Sequence, residues 1–191
     1  MKTLGDIANI RAGYPFRGKI SENLDGEARV IQMKDVDPDA EIRWPELTIT
    51  DLPGKKQPDW LKPGDLLFVA RGSHSFALHL GAVPFPTVLS PHFFHLTDNK
   101  SAGVLPSFLA WQINQEPAQQ YLRKSAEGAQ ILNIRRKVLE DMPIVVPSLH
   151  KQETIRQLHR TWQREKQVLQ ALSDNLTHMM DGLAQQVLSE E

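Results

Sequence analysis

From Ser148 to Leu188 the chain contains no proline and a single glycine, Gly182. Along this stretch Ile155, Leu158, Trp162, Leu169, Leu172, Leu176, Met179 and Leu183 recur at alternating steps of three and four. Ile155, Trp162, Leu169, Leu176 and Leu183 share one seam position of a heptad. Leu158, Leu172 and Met179 share the other, which Glu165 and Gln186 interrupt. A sustained heptad predicts one continuous helix whose apolar seam packs on another helix. At 1.5 Å per residue that helix is about 60 Å long, so only its first turns can reach the core of a domain this size. The polar Glu165 suits a position that sets register or partner. The competing reading is a helix folded back along its own domain.

The helix grows from "LEDMPIVVPSLHKQETI", Leu139 to Ile155, where the apolar run Ile144–Val146 lies between Pro143 and Pro147. Upstream the pattern is β-rich. Strands are predicted over 28–36, near 47–49, over 76–83 and 93–97, and at 144–146, and 62–73 reads as a turn followed by a buried strand and a glycine break. Thr3 with Asp6 reads as a capping pair that opens a short helix from Leu4 to Arg11. Helical composition also covers Ser107 to Asn114 and Ala118 to Lys124, with Pro117 well placed at a helix start. Asn133 is expected to cap a helix from Ile134 to Asp141 that Pro143 closes. The fold class is therefore α+β: a β-rich domain with short helices over 1–147, then a long coiled-coil helix over 148–191.

Composition narrows the function classes. With 191 residues, 40% of them hydrophobic, the chain can bury a sizeable core. No cysteine is present, which removes disulfides and thiolate metal sites and fits a reducing cytoplasm. The N-terminus "MKTLGDIANIRAG" has no apolar signal-like segment, and no apolar run approaches the roughly 18–20 residues of a membrane span. A cytoplasmic location is expected. The formal net charge is −1, so any nucleic-acid contact must come from local patches rather than from overall charge.

Catalytic motifs are lacking. The sequence has no GxSxG elbow, no phosphate-binding GxxxxGK[ST] loop and no GxGxxG fingerprint. Asp59 and Asp98 are the carboxylates a nuclease reading would join, at long spacing. His92 and His95, with His74 and His79 nearby, make a histidine-rich region, but no carboxylate is spaced in sequence to complete a ligand set. Neither a cofactor nor a metal is predicted.

Basic and amide residues instead gather in loops. Arg17 and Lys19 flank Gly18. Arg71, Ser73, His74 and Ser75 follow a strand. Arg123, Lys124, Gln130, Asn133, Arg135, Arg136 and Lys137 lie within "RKSAEGAQILNIRRK". Arg and Lys suit guanine edges and phosphates, Asn and Gln suit adenine, and a helix start can hold a phosphate on its N–H groups. Each cluster alone also fits a solvated loop, and composition leaves both readings open.

The stretch "EGAQILNIRRKVLEDMPIVVPSLHKQETI" resembles the C-terminal part of a target recognition domain in type I restriction–modification specificity subunits. The matching elements are Gly128 and Gln130 in a loop, a short helix and apolar strand over Leu139 to Val146, Pro147, and Gln152 at the head of a long helix. "LGDIANIRAGYPFRG" resembles the start of that domain and "KPGDLLFVARGS" its central strand, so the likeness runs along nearly the whole chain. The resemblance implies a non-catalytic reader of half of a bipartite double-stranded DNA site. It also implies a helix that spaces recognition domains and docks methyltransferase (modification) subunits, with a motor-nuclease subunit as a further partner in some systems. Family members usually carry two recognition domains and two helical regions, whereas this sequence has one set. The resemblance therefore implies a half-subunit that forms a homodimer through its helix. A protein-interaction adapter that uses the same helix, without DNA readout, is the alternative.

Overall fold

The computed structural model describes residues 2–37, 42–54, 56–99, 102–125 and 132–189. In chain order the elements are β1 (Lys2–Thr3), α1 (Leu4–Ile7), β2 (Ala8–Ala12), β3 (Ala28–Ile31), β4 (Thr48–Thr50), β5 (Leu66–Val69), β6 (Arg71–Gly72), β7 (Ala77–His79), β8 (Thr87–Leu89) and β9 (Phe93–Asp98). They continue with α2 (Pro106–Ile113), α3 (Glu116–Ser125), β10 (Leu132–Asn133), α4 (Arg136–Glu140), β11 (Pro143–Ile144) and α5 (Leu149–Ser189). The architecture is thus sheets and short helices followed by one long C-terminal helix. The chain divides into a compact unit, Met1–Glu153, and a second unit, Thr154–Glu191. The first turn of α5 belongs to the first unit.

Among the described residues two larger sheets organise the first unit. One is antiparallel in the order β2-β9-β5-β7, and the other has the order β4-β3-β8 with β3 and β8 parallel. Strand β5 reads Leu-Leu-Phe-Val and is buried at every position, as expected for a strand covered on both faces. The period of two then sorts side chains between layers. Ile31 and Leu89 face a cluster with Leu67, Val69, Leu80 and Phe93, while Val30 and Val88 face the opposite side with Tyr14. The sheets approach closely at Gly13 and Tyr14, where Tyr14 N donates to Leu89 O on β8 at 2.7 Å. A Cβ at Gly13 would lie 2.1 Å from Ser90 O, so no side chain fits there.

Several expected boundaries move. Asp6 Oδ2 accepts from Thr3 N and Oγ1 at 2.8 and 2.9 Å, as the capping pair requires. These bonds hold the Asp6 carboxyl below its ordinary range, the backbone N–H of Thr3 being the main cause. Yet α1 ends at Ile7, because residues 8–12 pair with β9 as β2. Strand β3 stops at Ile31, where Asp35 Oδ2 caps Gln32 N at 2.8 Å and starts a short 3-10 turn. Strand β8 was not expected from sequence. It has three residues and is fixed by its parallel partner β3. The apolar run after Pro143 pairs only as far as Ile144, with β1.

Side-chain amides tie the helical elements to this framework. Asn114 exchanges two 2.8 Å bonds with the backbone N–H and C=O of Ala77 on the edge strand β7. Gln112, with its amide turned to give both ends a complement, does the same with Val145 at 3.0 and 3.1 Å. Gln152, in the first turn of α5, is fully buried. Its Oε1 accepts from Leu105 N at 2.8 Å, and its Nε2 donates to Pro147 O at 2.9 Å and Gly103 O at 3.0 Å. A carboxamide supplies the acceptor and the two N–H donors that these three backbone groups use. Gln152→Ala is expected to cost about 1–3 kcal/mol, because it removes three hydrogen bonds made by a buried side chain to part-buried backbone groups. Gln152→Glu is expected to cost no less at neutral pH, since it turns a carboxylate oxygen toward two carbonyls. Urea unfolding of the full chain measures both, and an unchanged midpoint for Gln152→Ala would refute the assignment.

Candidate nucleic-acid interface

Strand β5 continues past Ala70 into a short ribbon. There β6 pairs antiparallel with β10, Arg71 opposite Asn133 and Gly72 opposite Leu132. The ribbon rests on the larger antiparallel sheet. Ala70 N donates to His92 O at 2.9 Å, and Ile134 N donates to Ala70 O at 2.9 Å. Ala70 and Ile134 are buried, while Arg71 is exposed. Gly72 has φ of +154° and a Cβ there would meet Met33 Cε at 3.0 Å, so the residue after Arg71 is held to glycine.

The structure thereby joins two loops that are far apart in sequence. Arg71 Nε donates to Asn133 Oδ1 at 3.2 Å. Asn133 was expected to cap the following helix. Instead it lies in β10, and α4 is capped at Arg135 and runs only from Arg136 to Glu140. The reason is tertiary: pairing with β6 keeps Asn133 extended. Beside Arg71, Ser73 and His74 are exposed, with Ser73 Oγ and His74 Nδ1 at 3.0 Å. Ser75, expected in the same exposed loop, is buried and its hydroxyl has no hydrogen-bond partner among the described residues, so it is not presented at the surface.

The remaining basic residues are placed differently. Arg17, Lys19 and Lys124 are exposed. Arg136 and Lys137 are engaged along α4, Arg136 Nε with Glu140 Oε1 and Lys137 Nζ with Asp141 Oδ1, both at 2.7 Å. The bond to Asp141 raises the Lys137 pKa above its ordinary value. These pairs line an open polar cleft with Thr3, Asp6 and Asn9. Gly128 and Gln130 lie outside the described residues. In the second unit Leu158, Trp162, Leu169, Leu172, Leu176, Met179 and Leu183 are between 49% and 66% exposed, an apolar stripe at heptad spacing. Ile155 is half-buried.

Of the carboxylates and histidines weighed from sequence, Asp59 and His95 have ion-pair partners. Asp59 pairs with Arg11 and, at 3.7 Å, with Lys56. Sequence spacing gave His95 no carboxylate, but the fold brings Asp65 Oδ2 to 2.7 Å from its Nε2 inside the core. The same oxygen accepts from Lys62 N at 2.8 Å, so Asp65 closes the turn before β5 as well. No cluster of three or more potential ligands is placed to hold a metal among the described residues. No described helix is long and apolar enough to cross a membrane. Asp65→Ala is expected to destabilise the chain by about 1–3 kcal/mol, because it leaves the buried His95 ring and the Lys62 N–H without their acceptor. Equal urea midpoints for variant and parent would refute this.

No protein-family model matches the sequence, and no curated protein matches it either. Solved structures do match. The chain is similar to the S subunit of a type I restriction-modification system from M. genitalium, with a TM-score of 0.57 at 13% identity, over 90% of this chain and 40% of that one. It is similar to the HsdS subunit from Thermoanaerobacter tengcongensis, with a TM-score of 0.59 at 16% identity, over 88% and 38% of the two chains. A third match comes from work on complex assembly and conformational transition of the type I R-M system, with a TM-score of 0.61 at 17% identity, over 88% and 39%. The chain therefore has the fold of type I S subunits, and it spans about two fifths of the length of each structure it matches.

Proposed function

We propose that this chain is the DNA-specificity component of a type I-like restriction–modification system. In this reading the first unit recognises half of a bipartite site in double-stranded DNA. The long helix docks a modification subunit and pairs with a second copy of the chain. Chemistry on the DNA belongs to the partner subunits, and a motor-nuclease subunit joins where the system restricts as well as modifies. The observation that carries the reading is the β6–β10 ribbon: an exposed Arg71 braced by Asn133 on a rigid sheet, in a fold shared with S subunits. A near-neutral net charge is compatible with it, because base readout needs a few oriented groups while partner subunits can supply phosphate contacts.

The decisive experiment reconstitutes the full chain with a type I modification subunit and maps methylated positions by sequencing. The parent complex is expected to methylate a defined bipartite sequence. The combined variant Arg71→Ala, Arg135→Ala, Arg136→Ala is expected to lose that site-specific methylation while still assembling. Unaltered methylation by the variant would favour the adapter reading, in which the helix binds protein and the β-rich unit reads no DNA.

Pairing of the helix rests on its exposed stripe. Seam side chains of this kind contribute about 1.5–3 kcal/mol each when fully buried, before ordering costs, and one self-complementary stripe suits a two-fold interface. The full chain is expected to be dimeric by light scattering, and Leu172→Asp is expected to shift it to monomer. A monomeric parent at micromolar concentration would sink the homodimer.

A further inference from the structure

Resting on the DNA-reading function just proposed, the geometry points to a specific division of labour in the ribbon. We infer that Arg71 reads a guanine and that Asn133 is the positioning residue that aims it. A guanidinium carries five N–H donors in one plane. The Nε–H of Arg71 is taken by Asn133 Oδ1 at 3.2 Å. Arg71 makes no other hydrogen bond or ion pair among the described residues, so its Nη1 and Nη2 edge remains available. That edge presents two parallel N–H groups, the fork that matches the O6 and N7 acceptors of guanine in the major groove.

The support beneath this pair is stiff. Arg71 and Asn133 are directly opposed in the ribbon, and the flanking Ala70 and Ile134 are buried and bonded to each other at 2.9 Å. Gly72 fixes the path of the chain just after Arg71 through its left-handed φ and its approach to Met33. An arginine held in this way loses less side-chain freedom on binding than one in a mobile loop.

A phosphate is the competing target, and the local chemistry disfavours it. Phosphate oxygens only accept hydrogen bonds. The surroundings of Arg71 mix acceptors with donors: the Asn133 carboxamide, the Ser73 hydroxyl and the His74 ring. The basic residues Arg136 and Lys137 spend their charge on Glu140 and Asp141 along α4. A mixed surface of donors and acceptors complements a base-pair edge, which is itself mixed.

The test selects duplexes from a randomised library with the full chain at low salt and sequences the bound fraction. The parent is expected to enrich a motif with a guanine at one position. Arg71→Lys keeps the charge but not the fork, and is expected to lose discrimination at that position alone by about 10- to 100-fold. Asn133→Ala is expected to weaken the same position in part, and Asn133→Asp, which keeps the acceptor, to restore it. As a measurement that leaves the protein untouched, 7-deazaguanine at that position in the selected duplex is expected to reproduce the loss seen with Arg71→Lys. The inference is overturned if Arg71→Lys retains the base preference, or if Arg71→Ala weakens all duplexes alike and lowers the salt slope by about one, as for a phosphate contact. Equal behaviour of Asn133→Ala and the parent overturns the positioning role. A parent chain that enriches no motif either alone or reconstituted with the modification subunit overturns the DNA-reading function itself, and this inference with it.

Discussion

The first unit depends on a carboxamide at its C-terminal edge. Gln152 is fully buried and spends both ends of its amide on backbone: Leu105 N, Gly103 O and Pro147 O. These groups belong to the segment that leads into α2 and to the residue two before the start of α5. Backbone at such junctions has no strand or helix partner of its own, and burial without one is costly. One side chain supplies what a third strand would otherwise supply. Gln112 and Asn114 repeat the device on Val145 and Ala77, so the helical elements are fastened to the sheets by directional bonds as well as by apolar packing. Directional bonds fix position more narrowly than hydrophobic contact, which suits a scaffold that must hold surface residues still.

The ribbon that carries Arg71 benefits from that stillness. It has two residues per strand and would not be stable alone. It persists because Ala70 continues a strand buried at every position and because Ile134 is itself buried and donates its N–H to Ala70 O. A chain with net charge −1 has no general attraction for a polyanion, so the proposed DNA reading calls for a few groups held in orientation. Arg71 is such a group. Arg136 and Lys137, although adjacent in sequence to the ribbon, are drawn into pairs with carboxylates one helical turn away.

Much of the fold was legible, and the failures have particular causes. Strand β5 was found because four consecutive apolar residues follow a turn, and α5 because a heptad runs through it without proline. The Thr3–Asp6 cap is legible in sequence, but the helix it opens is shorter than local pattern implies, since residues 8–12 have mixed periodicity and pair with β9. Strand β8 is too short to carry a period and lies between prolines, so only its parallel pairing with β3 defines it. In the candidate site, Arg71 and Asn133 were both singled out for residue type. Their partnership was not visible, because they are opposed across a ribbon rather than near in sequence, and local propensity made Asn133 a helix cap. Asp65 and His95 were missed as a pair for the same reason.

The sequence by itself determined the periodic elements and the chemical palette. The heptad of α5, the buried β5 and the absence of thiols or nucleotide-binding loops follow from residue order alone, because each is set within one turn or one strand. Tertiary structure decided everything that depends on which segments meet. It paired β6 with β10, turned Asn133 from a cap into a brace, buried Ser75, and gave His95 its carboxylate. The physical reason is that hydrogen-bond partners across a sheet are fixed by register between distant strands, and register is set by the packed core as a whole rather than by any stretch of sequence.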